Sequence, residues 1–320
     1  MIDRRRFIVT MAACAGTGTG SAFATSRAPR VGLVTAGTKS FEALQAGLRD
    51  LGYVPGQTIV IDHRKTEGRA ERYRSAVDAL LKSGADIVVV GSTHGLAAAR
   101  ALTQTLPIVA VDLETDPVAS GFVASLARPG GNVTGFFLDL ADMSGKLLQL
   151  LREAVPRVSR IAALHDPVIG RPQLQATYAA AAAAGITILP APVQNAGDLP
   201  AAVENAARQS ARALVVLSAP LMRVSQARID ELTLRHRLPS ITVFGLLPGG
   251  EGFMSYGPDL DEMFSRAGTY VSRILKGERA SDLPVQRPSK FELAVNVRTA
   301  KALRLDLPPA LLVQANRIVE

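Results

Sequence analysis

Polar residues suited to holding a small solute follow directly after several short apolar runs of this chain. These runs end in loops rich in hydroxyl groups, glycines and carboxylates, which are groups that fix polar ligands in protein clefts. Each residue alone has a local explanation, because Ser and Thr cap helices and Asp-Pro pairs begin turns. The polar candidates taken together are Thr38, Ser40, Gly91, Ser92, Thr93, Asp116, Asp166 and Ser218.

Two short motifs resemble catalytic signatures without matching them. Gly37-Thr38-Lys39-Ser40 lacks the Gly-Lys-Ser adjacency of a phosphate-binding loop. In Gly91-Ser92-Thr93-His94-Gly95, the serine stands one position away from the centre of the hydrolase G-x-S-x-G motif. A triad of Ser92, His94 and Asp166 stays open as an alternative, because triad members meet in space and not in sequence. We expect binding without catalysis.

The histidines do not form a zinc-binding pattern. None of the four has H-x-x-x-H spacing, and they lie far apart, at His63, His94, His165 and His236. Asp112, Glu114 and Asp116 form a closer group, which suits either a hard cation or the ammonium group of a ligand. We favour the ammonium group, which needs no metal, and we expect no cofactor.

An α/β framework must position these residues. From Val31 onward, Val- and Ile-rich runs without period-2 alternation are separated by helical stretches, a pattern typical of a parallel sheet covered on both faces. Ligands of such sheets bind beyond the carboxyl ends of the strands. We expect strands at 31–35, 58–62, 86–90, 107–111, 160–164, 186–189, 213–217 and 241–244. We expect helices at 41–51, 69–82, 93–103, 144–154 and 259–276.

The second half of the chain repeats the plan of the first. A strand, a helix and a Leu-Pro-led strand at 85–111 are echoed at 213–243. A single core rarely grows beyond ~250–300 residues, so we predict two doubly wound parallel-sheet lobes with a cleft. Three crossings are expected near 128–135, 253–258 and 283–288. The predicted first lobe is 30–138 with 256–282, and the predicted second lobe is 139–255 with 283–320.

The first 24 residues have the pattern of a secretory signal. Arg4 to Arg6 form a basic start, an apolar run covers 7–15, and Ala22-Phe23-Ala24 is a small-residue cleavage site. The pattern predicts export to the periplasm. The paired arginines resemble a twin-arginine signal, although Asp3 stands where Ser or Thr is usual, so the export route stays open. Lipidation at Cys14, in a poor lipobox, is the less favoured alternative.

Composition narrows the classes of partner. The net charge of +8 falls to +6 without the predicted signal, and the chain has no Trp and no basic cluster with interleaved aromatics. Nucleic-acid binding is therefore not expected. Beyond the signal, no apolar run approaches the ~20 residues of a membrane span. Cys14 is the only cysteine, so disulfides and thiolate chemistry are excluded from the processed chain.

Several longer runs carry a family resemblance. They include LGYVPGQ at 51–57, ASLARPGGNVTG at 124–135, LRHRLP at 234–239 and MSYGPD at 254–259. The chain resembles, over nearly its whole processed length, ABC transporter substrate-binding proteins related to tryptophan- and tyrosine-binding components. The resemblance implies the type I periplasmic binding fold, capture of a small solute between the lobes and delivery to a membrane permease, by a monomer.

The resemblance also implies roles for individual residues. Gly91, Ser92 and Thr93, with Thr38 and Ser40 nearby, would hold a ligand carboxylate, and Asp116 or Asp166 would meet its ammonium group. The second-lobe loop reads His165-Asp-Pro, where many relatives carry Asn-Pro after an aromatic residue. Without Trp, the stacking faces for a ring would come from Phe41, Phe244 and Tyr256. A periplasmic sensor subunit for a membrane receptor is the alternative function.

Overall fold

The structure is a computed structural model that describes residues 27–320. The predicted signal and Cys14 lie outside the described residues. Two β-sheets, each with helices packed against it, make up the described part of the chain. Between residues 27 and 320, no helix combines the length and apolar character needed to cross a membrane.

The elements alternate along the chain. The strands are β1 (Arg30–Thr35), β2 (Val60–Lys65), β3 (Ile87–Val90), β4 (Ile108–Leu113), β5 (Val133–Phe137), β6 (Arg160–His165), β7 (Thr187–Pro192), β8 (Ala213–Val216), β9 (Ser240–Thr242), β10 (Met254–Pro258), β11 (Phe291–Asn296) and β12 (Arg317–Val319). The helices are α1 (Lys39–Asp50), α2 (Arg72–Lys82), α3 (Thr93–Leu102), α4 (Leu140–Ala154), α5 (Arg171–Ala183), α6 (Leu199–Arg208), α7 (Pro220–Val224), α8 (Gln226–Arg235), α9 (Leu260–Leu275), α10 (Val297–Ala302) and α11 (Pro309–Gln314).

The two sheets are parallel apart from one strand pair. The first has the order β2-β1-β3-β4-β5, and the second has the order β12-β11-β10-β9-β8-β6-β7. Only β10 and β11 run antiparallel among the paired strands described. The central strands β3 and β8 are buried along their whole length, because helices cover both faces of the sheets. The predicted fold class, two doubly wound α/β lobes, is confirmed.

The first lobe, as used below, is the first sheet with α1, α2, α3 and α9 packed against it or against one another. The second lobe is the second sheet with α4 to α8, α10 and α11. Residues 256–258 pair within the second sheet, and the N–H groups of Val285 and Gln286 bond to carbonyls of Leu126 and Gly135 beside the first. The boundaries predicted from the sequence stay a prediction.

Strands β5 and β10 occupy segments that the sequence indicated only as crossings. Each contains a glycine, which weakens the sequence signal for a strand. A Cβ on Gly135 would lie 1.8 Å from the carbonyl oxygen of Ala110, and one on Gly257 would lie 2.0 Å from that of Val243. Close approach of a neighbouring backbone therefore explains both glycines, because a side chain at either position would collide with the adjacent strand or loop.

Candidate ligand-binding site

A cavity of about 440 Å³ lies between the loops that follow the strands of the two lobes. Pockets for small ligands are typically about 300–1,000 Å³, so the volume suits a metabolite of modest size. The first lobe and the chain crossings contribute Gly37, Thr38, Lys39, Ser40, Gly257, Pro258, Asp259, Leu260 and Asp261. The second lobe contributes Arg223, Val224, Gln226, Phe244, Gly245, Leu246, Leu247, Pro248, Ser255, Glu292 and Arg317.

Side chains of the second lobe hold the loop after β9 in place as one wall of this cavity. Arg317 donates through Nη2 to the carbonyl oxygen of Leu246 at 3.1 Å and pairs through Nε with Glu292 at 3.2 Å. Gln226 donates from Nε2 to the carbonyl oxygen of Gly245 at 3.0 Å. These bonds fix the shape of the wall from within the chain, a form of preorganisation that limits the entropy lost on binding.

The first turn of α1 forms the opposite wall. The Thr38 side chain makes no capping hydrogen bond, and the N–H groups of Phe41 and Glu42 bond to its carbonyl oxygen at 2.9 and 3.2 Å. The amino end of a helix carries a partial positive charge. Together with Lys39, it makes this wall favourable for an anionic group.

Asp230 lies on α8. Its carboxylate is close to Gly252, in the glycine-containing stretch that continues from the loop after β9. Its side chain is 4% exposed, and its Oδ2 has no hydrogen-bond partner among the described residues. Burial, reinforced by the charge of Glu251 and opposed by the N–H of Gly252, raises the pKa of Asp230 to about 7. The carboxyl group is therefore poised to change charge near neutral pH.

A second group of polar residues lies at or near the ends of β3, β4, β6 and β8 and does not line the cavity. We call it the seam, because His94 and Asp166 approach each other across the lobes there, and it comprises Ser92, Thr93, His94, Glu114, Asp166, Gln173 and Ser218. At the start of α3, the N–H of Thr93 donates to Glu114 Oε2 at 2.7 Å, and Ser92 Oγ accepts from the N–H of Gly95 at 3.1 Å. Groups that the resemblance assigned to a ligand carboxylate thus already bond within the chain.

Asp166 joins the two lobes within the seam. Its Oδ1 accepts the N–H groups of Val168 at 2.7 Å and Ile169 at 3.1 Å, and its Oδ2 lies 3.5 Å from Nε2 of His94. Burial opposes ionisation, but the nearby His94 ring and the hydrogen bonds from the two backbone N–H groups outweigh it and hold the pKa of Asp166 below its usual value. The carboxylate is therefore ionised at neutral pH.

Gln173 and Ser218 complete the seam in the second lobe. The N–H of Ser218 donates to Gln173 Oε1 at 2.9 Å. Both side chains are buried, and within residues 27–320 neither Ser218 Oγ nor Gln173 Nε2 has a hydrogen-bond partner. Each of these two side chains therefore keeps an unused donor.

The residues predicted as ligand contacts fall into three places. Thr38, Ser40 and Phe244 line the cavity. Ser92, Thr93, Asp166 and Ser218 lie in the seam, with Gly91 directly before it. The other three are elsewhere: Phe41 stacks on His63, Tyr256 stacks on Phe291, and Asp116 forms an exposed turn with the N–H groups of Val118 and Ala119. As ligand contacts, all of these assignments stay predictions.

Sequence reasoning missed several charged residues of the cavity. Lys39 stands between the predicted residues Thr38 and Ser40, and Asp261 stands two positions after the start of the predicted helix 259–276. The strand-end rule applied to the loop after β9 would have reached Leu246 to Pro248. Glu292 and Arg317 carry no such signal. They meet the cavity only because β11 and β12 pair at the edge of the second sheet, far along the chain from the other walls.

Known proteins resemble this chain in sequence and in fold. A tyrosine-binding protein of Clostridioides difficile is 24% identical over 264 residues, covering 80% of this chain and 74% of that protein. A conserved domain protein of Vibrio cholerae superposes with a TM-score of 0.84 at 22% identity, over 91% of this chain and 100% of that one. The ABC domain of Streptococcus pneumoniae in complex with L-Trp gives 0.83 at 22% identity, over 91% and 99%.

These structural likenesses concern the fold, because identity is below a quarter. The family assignment comes from the sequence profile of the ABC transporter substrate binding proteins, which matches residues 35–319. Members of this family bind solutes and do not catalyse reactions. The chain therefore belongs to the ABC transporter substrate binding protein family.

Proposed function

We propose that this protein is the exported solute-binding component of an ABC importer. It captures an amino acid or a related small metabolite between its lobes and delivers it unchanged to a permease in the inner membrane. The observation that carries the proposal is the cavity of about 440 Å³, whose walls hold charges of both signs.

The arrangement of charges suits a zwitterion. Lys39 and the amino end of α1 stand on one side and favour a carboxylate. Asp261, in the first turn of α9, supplies a carboxylate for an ammonium group. Phe244, Leu246 and Leu260 add apolar surface, and the names of a tyrosine-binding relative and of a neighbour in complex with L-Trp support an amino acid with an apolar or aromatic side chain.

A ligand screen tests this proposal. The processed protein is mixed with amino acids and related metabolites, and its thermal midpoint and the recovered solute are measured. At ~100 times Kd a ligand stabilises by about 2.7 kcal/mol, and we expect a rise of roughly 5 °C. Chemical conversion of the solute, or no response to any member of the set, contradicts the proposal.

Two variants test whether the ligand binds in this cavity. Lys39→Met and Asp261→Asn should each weaken binding, whereas Lys82→Met, which removes an exposed lysine paired with Asp78 on α2, should not. Equal ligand affinities for all three variants would show that the ligand binds outside this cavity.

Export and transport are tested in cells. We expect a periplasmic protein cleaved after Ala24, monomeric by light scattering, whose deletion lowers uptake of the solute found in the screen. Loss of a signalling response with intact uptake would instead favour the sensor subunit.

A further inference from the structure

A largely buried contact between two side chains of the chain itself joins the lobes within the seam. His94 stands in the first turn of α3 in the first lobe, and Asp166 follows β6 in the second. Their side chains are only 15% and 12% exposed, and Nε2 of His94 lies 3.5 Å from Oδ2 of Asp166. Because solvent screens contacts between buried polar groups weakly, the approach of these two side chains can help to hold the lobes together.

Both partners are held in position by their own lobes. The backbone N–H groups of Val168 and Ile169 fix the carboxylate of Asp166, and the ring of His94 lies against that of Tyr73, with centroids 5.9 Å apart. Little side-chain entropy is therefore lost when the lobes meet, so a larger share of the interaction favours the closed arrangement.

A second contact lies at the rim of the lobes. Gly68, in the turn after β2, has φ of +73°, and a Cβ there would lie 2.8 Å from Cα and 2.9 Å from N of Leu221 on α7. Strand β2 is the edge of the first sheet opposite β5, after which the chain crosses into α4. The lobes are thus in backbone contact on the side away from that crossing.

We propose that His94 and Asp166, together with the seat of Gly68 on α7, form a latch that keeps the lobes closed in the absence of ligand. Asp166 then bonds to the opposite lobe and not to the ammonium group of a solute. The apparent Kd of a ligand that needs the closed arrangement equals the intrinsic Kd divided by the closed fraction, so the latch sets part of the affinity. Only this effect on affinity rests on the proposed function.

Distance measurements on the ligand-free protein test the latch directly. The processed chain has no cysteine, so Val118→Cys in the first lobe and Val168→Cys in the second provide unique label sites, both exposed. We expect one short distance in the parent protein and longer distances after His94→Leu or Asp166→Asn. The asparagine still accepts the N–H groups of Val168 and Ile169, so the turn is kept. An unchanged distribution, or an already open parent, overturns the proposal.

A glycine pair provides a matched steric test. Gly68→Ala places a Cβ against the backbone of Leu221, whereas Gly84→Ala has nothing within 4 Å. Gly84 has φ of +76°, so both variants carry the same backbone strain. Only Gly68→Ala should lengthen the distance between the labels. Equal behaviour of the two variants contradicts the contribution of this seat.

A double-mutant cycle separates the latch from a ligand contact. We expect His94→Leu to weaken binding about tenfold, equivalent to ~1.4 kcal/mol, and Asp166→Asn to add nothing in that background. If Asp166 held the ligand, its substitution would weaken binding further even without His94, and the latch would be wrong. Because the distance experiment uses no ligand, failure to find a solute leaves the latch test intact.

Discussion

The cavity and the seam are built in the same way but differ in what their polar side chains contact. Both consist of loops that follow parallel strands, and both are rich in hydroxyl groups and carboxylates. In the cavity, Lys39 and Asp261 face open space between the lobes. In the seam, Thr93, Glu114 and Asp166 bond to other parts of the chain. Polar residues at strand ends can thus bond within the protein as well as line an open cavity.

The largest expected effect separates the two regions by stability. Glu114→Gln removes a buried carboxylate charge that accepts the N–H of Thr93, and should lower the free energy of unfolding by about 2–3 kcal/mol. Asp261→Asn, on the cavity wall, should change it by less than about 0.5 kcal/mol. Urea unfolding measures both, and equal losses would remove the distinction between the regions.

Asp230 makes the stability of the second lobe depend on pH. Its raised pKa means that the folded protein binds this proton more tightly than the unfolded chain. The corresponding stability is present below the ordinary pKa of 3.8 and is lost as the pH rises to about 7. Asp230→Asn should therefore flatten the stability profile between these pH values and raise stability at pH 8 by ~1–2 kcal/mol.

Urea titrations across this pH range check the Asp230 prediction. Glu251→Gln, which removes a charge that raises the pKa of Asp230, should have the same direction of effect and a smaller size. A steeper profile in Asp230→Asn would assign the pH dependence to another group.

Lys39→Met should affect binding alone. It removes a charge beside the amino end of α1, and we expect about tenfold weaker binding with unfolding in urea unchanged within ~0.5 kcal/mol. Calorimetry and urea titration on the same preparation measure the two quantities. A loss of stability without a loss of affinity would show that Lys39 supports the fold and does not bind the ligand.

The smallest expected effect concerns Asp116, which the sequence analysis predicted as a partner for the ammonium group of a ligand. Its Oδ1 accepts N–H groups within an exposed turn, so Asp116→Ala should lower stability by about 0.5–1 kcal/mol. Ligand affinity should stay unchanged. A clear loss of ligand affinity in calorimetry would show that Asp116 contacts the ligand after all.

Strands β1 to β4 and β6 to β9 were predictable, because apolar runs such as Ile87–Val90 must be covered on both faces. Strand β5 was not, since Gly135 hides its pattern while serving a close backbone approach. Thr38 and Phe244 of the cavity were predicted from the sequence, because ligands of parallel sheets bind beyond the carboxyl ends of the strands. It could not assign Thr93 or Asp166 to the seam, because hydrogen-bond partners distant in sequence become visible only in space.

The order of the cavity walls along the chain has a consequence for assembly. One wall contains Gly37 and Lys39, and another contains Arg317, which pairs with Glu292 on the neighbouring strand. These segments lie far apart in sequence, so the pocket exists only when both lobes have folded and lie against each other. A fragment that holds either segment alone would therefore lack a wall of this pocket.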